Sequence, residues 1–460
     1  MKKARTDLRM KAPGSEQHKS LESTFVFFAV ALFGFSATFK IAHANFATLI
    51  LLIMIAVDWR NARPVLRREP YVWLMVAFLG YLSVTGVFSY LNASVPKDLL
   101  TESLSRYARD LFLPGILLGY WLYQKPWLVQ WLLLSFVLGY LALLFESLGY
   151  NELLVFINTN ARAAYGSAAT LFGFWSLVIL FSAWALLYKE GTFARASKVL
   201  SISLIAISAL AIIFSTFGVI FSKTRGAWLV AVILVPIMAV LLVRLKEKTN
   251  LQRNYRGALY VAIVVVGVGW SYSEIINDRM MELNATMVAI YSGDRSEVGN
   301  DGLGYRINVF SEGYARWKER PLFGWGPGSD FSLLRKAEGE FFEQHRPVHY
   351  HNEPLNFAVE LGLLGLLFYL TSIGVPLYYA ARALPVEEEL AAIKIFSLIT
   401  ISGFLLYSMS DLPITSGKGR AYFAVPVGMA LYFAMNRRSQ VCQPLRGFAY
   451  MDKTSSTETY

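Results

Sequence analysis

Leu355-Asn-Phe-Ala-Val-Glu-Leu-Gly-Leu-Leu-Gly-Leu-Leu-Phe-Tyr-Leu-Thr-Ser-Ile-Gly-Val-Pro-Leu-Tyr-Tyr-Ala-Ala381 decides the fold. The run is apolar almost throughout and exceeds the ~20 residues that cross a hydrocarbon core, so it reads as a transmembrane helix. Further apolar runs lie at Phe25 to Ala42, Asn45 to Val57, Tyr71 to Leu91, Leu111 to Tyr123, Trp127 to Glu146 and Gly166 to Tyr188. Others follow at Leu200 to Phe221, Ala227 to Val243, Ala258 to Tyr272, Leu390 to Ser408 and Ala421 to Met435. Composition agrees: of 460 residues, 55% are hydrophobic and 16% charged, with a mean hydropathy of +0.44. Backbone in hydrocarbon finds no water, so the segments must satisfy their own hydrogen bonds as helices. The expectation is an all-α polytopic membrane protein of about twelve transmembrane helices.

Charge sets the orientation. The segment Met1 to Glu22 carries Lys2, Lys3, Arg5, Arg9, Lys11 and Lys19, and no small-residue cleavage site follows the first apolar run. Alternate loops are also basic: Arg60, Arg63, Arg67 and Arg68; Lys189, Arg195 and Lys198; Arg244, Lys246, Lys248, Arg253 and Arg256; Arg437 and Arg438. Both termini are therefore expected in the cytoplasm. The net charge of +11 is then largely a topology signal, which removes the nucleic-acid reading. A single cysteine, Cys442, excludes an internal disulfide framework. The expected organisation is a cytoplasmic basic tail (1–22), helices one to nine (23–272), a large extracytoplasmic loop domain (273–352), helices ten to twelve (353–436) and a cytoplasmic tail (437–460).

Directly before the opening run lies His345-Arg346-Pro347-Val348-His349-Tyr350-His351-Asn352, with three of the five histidines. Pro347 favours extended geometry at Arg346, and residues two apart on an extended segment face one side, so His349 and His351 are expected to look into one space. Asn352 is a candidate N-cap, and Pro354 falls in the first turn, where its missing N–H costs nothing. The positive helix end then favours a neutral imidazole at His351, the form needed in a general base. Two other readings stand beside it: plain loop polarity, or a zinc site completed by His345 with Glu343 or Glu353.

Cations on the outer side depart from the positive-inside pattern. Arg162 precedes the sixth run, and Arg225 sits with Lys223 in the tight turn Ser222-Lys-Thr-Arg-Gly226. A cation at a helix start opposes the macrodipole, which suits an anionic ligand; contact with lipid headgroups is the alternative. In the outer loop, Ile307, Phe310, Tyr314 and Trp317 form a helical stripe opened by Arg306. Pro321-Leu-Phe-Gly-Trp-Gly-Pro-Gly328 follows, its glycines suited to close backbone packing rather than a phosphate fingerprint, and Asp330 is placed to cap a second helix through about Phe342.

Arg306 to Trp317, the turn Pro321 to Gly328, His351-Asn352 and Gly362-Leu-Leu-Gly365 together resemble the O-antigen ligase and polymerase superfamily. Among its members the chain looks most like the lipopolysaccharide O-antigen ligases. The resemblance implies a membrane glycosyltransferase of the C type (GT-C-like) with an undecaprenyl-diphosphate-linked glycan as donor, lipid A-core as acceptor and Arg225, Arg306 and His351 as catalytic residues. It implies a bacterial inner-membrane protein surrounded by lipids, with its active site in the periplasm. Sugar nucleotides are absent there, so the leaving group is a lipid diphosphate, stabilised by a metal or by guanidinium forks. The outer loops offer no Asp-x-Asp pair, so no metal and no cofactor are expected. Arg162, Lys223, His349, Asn352 and Arg420 are the further substrate-binding candidates, and Arg316, Lys318, Arg320 and Lys418 are placed to meet an anionic acceptor. A transporter of about twelve spans is the reading from another class, but the short Lys189 to Lys198 linker and the polar weight at the outer surface argue against it.

Overall fold

The computed structural model describes residues 14–92, 95–147, 168–188, 198–246, 302–382 and 388–441, together with 277, 281, 284 and 288. Arg162 and the expected span Ala258 to Tyr272 lie outside the described residues. In chain order the helices are α1 (Gly14–Thr38), α2 (Ile41–Val57), α3 (Trp59–Leu66), α4 (Pro70–Leu91), α5 (Lys97–Asp110) and α6 (Leu113–Gln124). Then come α7 (Leu128–Ser147), α8 (Ala169–Tyr188), α9 (Lys198–Phe221), α10 (Arg225–Lys246) and α11 (Gly302–Glu319). The last are α12 (Ser329–Arg335), α13 (Glu340–His345), α14 (Glu353–Arg382), α15 (Glu388–Tyr407) and α16 (Gly419–Val441). No strand occurs among the described residues, and the chain is an all-α polytopic membrane protein.

The described residues do not supply all of the expected twelve spans. Among the described residues, seven helices are long and apolar enough to cross a membrane, or eight if α2 and α3, bent by 99°, form one broken span. Hydropathy alone does not separate a lipid-facing helix from one enclosed by protein. The expected span Leu111 to Tyr123 is α6, a helix of 12 residues. Its length of about 18 Å falls short of a ~30 Å core. Its residues Pro114 through Leu122 are all buried, and Gly115 and Gly119 meet Val427 and Leu431 of α16 at a distance that leaves no room for a Cβ. Small residues four apart let two backbones approach in this way.

Helix α4 runs opposite to α14 and α16 brings its far end back beside both, which places Glu69, Tyr379 and Arg438 together at one end of the bundle. At the other end, residues 302–352 fold onto α14. Val309 of α11, Leu333 and Leu334 of α12, Tyr350 and Val359 form a small separate core. The expected helix Tyr305 to Trp317 is present within α11, although it begins at Gly302, so Arg306 lies in its second turn rather than opening it. The expected helix from Asp330 to Phe342 is instead two short ones. Gly339, at φ +115°, separates α12 from α13, and Asp330 sits inside the first turn of α12, where its Oδ1 accepts from Phe331 N at 2.7 Å.

Helix α14 is interrupted at Gly362 (φ 65°, ψ −166°). The break exposes the carbonyls that a continuous helix would use, and the turn Pro321 to Gly328 together with Tyr81 of α4 takes them. Trp325 N donates to Val359 O at 2.9 Å, Gly326 N to Glu360 O at 2.8 Å and the Tyr81 hydroxyl to Leu361 O. Leu363 N returns a bond to Pro321 O at 2.8 Å. Buried backbone groups must be paired, and the glycine-rich turn is the partner.

Candidate active site

The first half of α14 carries two fully buried carboxylates, Glu353 and Glu360. Such groups are costly inside a protein unless hydrogen bonds surround them, and both are surrounded. Glu353 accepts from Thr415 N at 2.6 Å, Thr415 Oγ1 at 2.7 Å and Ile414 N at 3.2 Å, while its own N–H donates to Ser408 O at 2.9 Å. Glu360 accepts from Gly328 N at 2.7 Å, the Tyr107 hydroxyl at 3.0 Å and Asn356 Nδ2 at 2.8 Å. The segment 408–416, the turn at Gly328 and α5 are thereby fastened to one short helix.

Asn352 is the N-cap that its position suggests. Its Oδ1 accepts from Leu355 N at 2.9 Å, and its Nδ2 donates to Met409 O at 3.2 Å. The extended geometry expected at Arg346 is not found: φ is 42° and ψ 58°, in the left-handed region. Arg346 ends α13, and the left-handed turn common at helix C-termini overrides the bias imposed by Pro347. His351 also has a positive φ, 49°, a strained state for a non-glycine residue and of the kind that collects at functional sites.

His349 and His351 do look into one space, their ring centroids 4.0 Å apart. His351 N donates to His349 Nδ1 at 3.2 Å, which assigns the His349 proton to Nε2. Asp411 completes the group, with its Oδ1 3.6 Å from His351 Nδ1 and accepting from Leu412 N at 3.0 Å. Among the described residues, His351 Nδ1 and Asp411 Oδ2 are buried without a hydrogen-bond partner. Catalytic contacts are often loose before substrate arrives, and a small approach closes this one. Burial raises the Asp411 pKa, but the imidazoles of His351 and His349 and the Thr170 hydroxyl outweigh it and hold the carboxyl below its ordinary range. Burial first, then His351 and Arg106, push His349 down to about 4 against the pull of Asp411.

That shift makes stability depend on pH in a defined direction. Between the ordinary histidine value of 6.5 and about 4, the unfolded chain binds a proton at His349 that the folded protein refuses. Stability is therefore expected to fall as pH drops through that window. In thermal unfolding of the purified protein at pH 7 and pH 5, His349→Gln should show a smaller loss on acidification than the unsubstituted chain.

His349 and Asp411 open on a cavity of about 540 Å³ whose wall includes Arg106 and Arg109 of α5, Arg420 of α16 and Glu102. Arg420 is buried, and Arg106 is half-buried with Nη2 donating to Ser103 Oγ at 2.8 Å. Three guanidinium groups about one cavity favour an anion, above all the paired oxygens of phosphates. The two imidazoles and Asp411 also offer ligand atoms within 4.8 Å of one another, close enough to share a cation. The zinc ligand set read from sequence is not assembled, since His345 stacks on Phe341 at 4.7 Å and Glu353 is taken up by Thr415. Repulsion from Arg106 opposes a cation here.

Of the residues singled out in the sequence, His349 and Arg420 line the cavity, His351 groups with His349 and Asp411, and Asn352 caps the start of α14 next to His351. Arg225 and Arg306 do not line the cavity. Their chain neighbours do pack near the histidine group: Gly226 abuts Ser410 and Tyr407, and Tyr305 packs edge-on against His351 at 5.5 Å. Lys223 lies in the turn before Arg225 with a φ of 48°. Arg316 is paired with Glu312 at 2.7 Å, Lys318 and Arg320 stack on Tyr314 and Trp325, and Lys418 Nζ donates to Thr38 O at 3.2 Å. Arg106, Arg109, Asp411 and Glu360 were missed, and Glu353, read as a possible zinc ligand, instead fastens residues 414 and 415. Arg106 and Arg109 had a signal, since arginines three apart on a polar helix between apolar runs share one face. Glu360 had another, as an ionisable residue inside an apolar run.

A comparison with curated proteins finds no match. Residues 210–370, which hold Arg225, Arg306, both site histidines and the break in α14, match the family model described as O-antigen ligase, so this part of the chain is similar to that family.

Proposed function

We propose that the protein is an O-antigen ligase of the bacterial inner membrane, moving a glycan from undecaprenyl diphosphate to lipid A-core on the periplasmic side. The family match supports ligase or polymerase chemistry in general. The observation that supports a transferase acting on a diphosphate donor is the cavity that His349 and Asp411 share with Arg106, Arg109 and Arg420, with His351 grouped beside His349 and Asp411. Asp411 orients His351 through Nδ1, leaving Nε2 to take the proton of an acceptor hydroxyl. The acceptor oxygen forms its bond to the anomeric carbon from the face opposite the diphosphate, inverting the configuration. The anomeric C–O bond breaks with its electron pair leaving on the diphosphate, whose charge the arginines stabilise. In this reading Arg225 and Arg306 also act on the donor diphosphate, from segments whose neighbours Gly226 and Tyr305 pack against Ser410 and His351. The mechanism runs without metal. Loss of activity in EDTA with recovery on adding a divalent ion would assign the His349, His351 and Asp411 cluster to a cation instead.

Polymerase is the alternative, with the same donor and a second lipid-linked glycan as acceptor. Lipopolysaccharide from a deletion strain separates the two. The expected result is core-only lipopolysaccharide with long polymer retained on the lipid diphosphate. Core bearing a single repeat would make the chain a polymerase.

A further inference from the structure

We propose that a second cavity, at the opposite end of the bundle, binds the phosphate headgroup of an anionic phospholipid. It is about 600 Å³ in volume and lies among α3, α6, α14 and α16. Helix α14, 30 residues long, runs from the active site to this cavity, which it lines with Tyr378, Tyr379 and Arg382. The two sites therefore lie at opposite ends of this helix, and this inference stands independently of the reaction assigned above.

Four arginines, Arg68, Arg382, Arg437 and Arg438, surround the cavity against one carboxylate, Glu69. Arg438 is committed to Glu69, which is only 1% exposed: Nη1 lies 2.6 Å from its Oε2, and the Tyr379 hydroxyl bonds both partners at 2.9 and 3.0 Å. That pair is the built floor of the site. Arg68, Arg382 and Arg437 are exposed around it and leave it an excess of positive charge. Guanidinium forks match phosphate oxygens, and Val65, Phe433 and Met435 supply an apolar wall for the first carbons of a chain.

Depth in the membrane selects the ligand. Trp59, Trp73 and Trp127 are 52%, 53% and 47% exposed, and all lie at this end of the bundle. Exposed tryptophans with tyrosines mark the level of the lipid headgroups. The anion concentrated at that level is the phospholipid phosphate, and basic pockets between transmembrane helices suit such headgroups.

The test uses the full-length protein in detergent with no glycan present, so its outcome is separate from that of the transferase assay. Lipid retained by the protein is measured by native mass spectrometry after exposure to equal phosphatidylglycerol and phosphatidylcholine. The expected result is preferential retention of phosphatidylglycerol, reduced by about tenfold or more in the Arg68→Gln, Arg382→Gln, Arg437→Gln triple variant. Millimolar inorganic phosphate, which lacks the chain, should not displace the lipid. Equal retention of both lipids by the unsubstituted protein overturns the proposal whether or not the variant folds. So does undiminished preference in the folded variant, and displacement by phosphate would make this a site for a free anion.

Discussion

His351→Ala is expected to lower glycan transfer by about 10²- to 10⁴-fold, the range a positioned general base supplies, while the protein still inserts and still binds donor. The side chain is half-buried, and its ring makes aromatic contacts with His349 and Tyr305 but no hydrogen bond that fastens the bundle. Truncation should therefore cost catalysis far more than stability. Asp411→Asn should lose less than His351→Ala and leave KM nearly unchanged, because Asp411 acts on the imidazole rather than on substrate. Arg420→Lys should reduce donor binding, since a point charge does not replace a fork on phosphate oxygens. Arg225→Ala and Arg306→Ala should each abolish transfer, with Arg225→Lys severely impaired. The measurement is single-turnover transfer with purified protein, alongside donor binding by the same variants. Near-normal transfer by His351→Ala would remove the base from this mechanism.

The parts of the site that were legible in the sequence are local. Asn352 announces itself as a cap by residue type and position, and the two histidines are two residues apart on a short segment. The glycines of Pro321 to Gly328 pointed to close packing without naming the partner, because the carbonyls they serve belong to the broken helix α14. Asp411 gave no local signal: nothing in Ser410-Asp411-Leu412 says that Glu353 will draw residues 414 and 415 onto the start of α14 and bring Asp411 beside His351. The span expected at Leu111 to Tyr123 was misread for a related reason. Helix α6 is as apolar as a lipid-facing helix because α16 and its neighbours surround it.

Gly362→Ala is expected to prevent accumulation of folded protein, or to leave protein that unfolds far below the unsubstituted chain in a detergent thermal-shift assay. At φ 65° and ψ −166°, Gly362 occupies a region open in practice to glycine alone. A Cβ there would lie 2.2 Å from Leu322 O and 2.4 Å from Phe323 N, both backbone atoms that no rotamer change can move aside. Backbone strain and overpacking together cost on the order of 4 kcal/mol. The turn at Pro321 to Gly328 would have to leave the carbonyls of Val359 and Glu360, and the half-helix that carries Glu353, Glu360 and the Asn352 cap would lose its hold. Gly374 provides the contrast within the same helix, since a Cβ placed on it meets nothing within 4 Å. Gly374→Ala should be neutral or stabilising by up to about 1 kcal/mol through helix propensity. Comparable behaviour of the two variants would mean that the break at Gly362 is not held by the turn; a large loss confined to Gly362→Ala places the anchor of the catalytic half-helix at that contact.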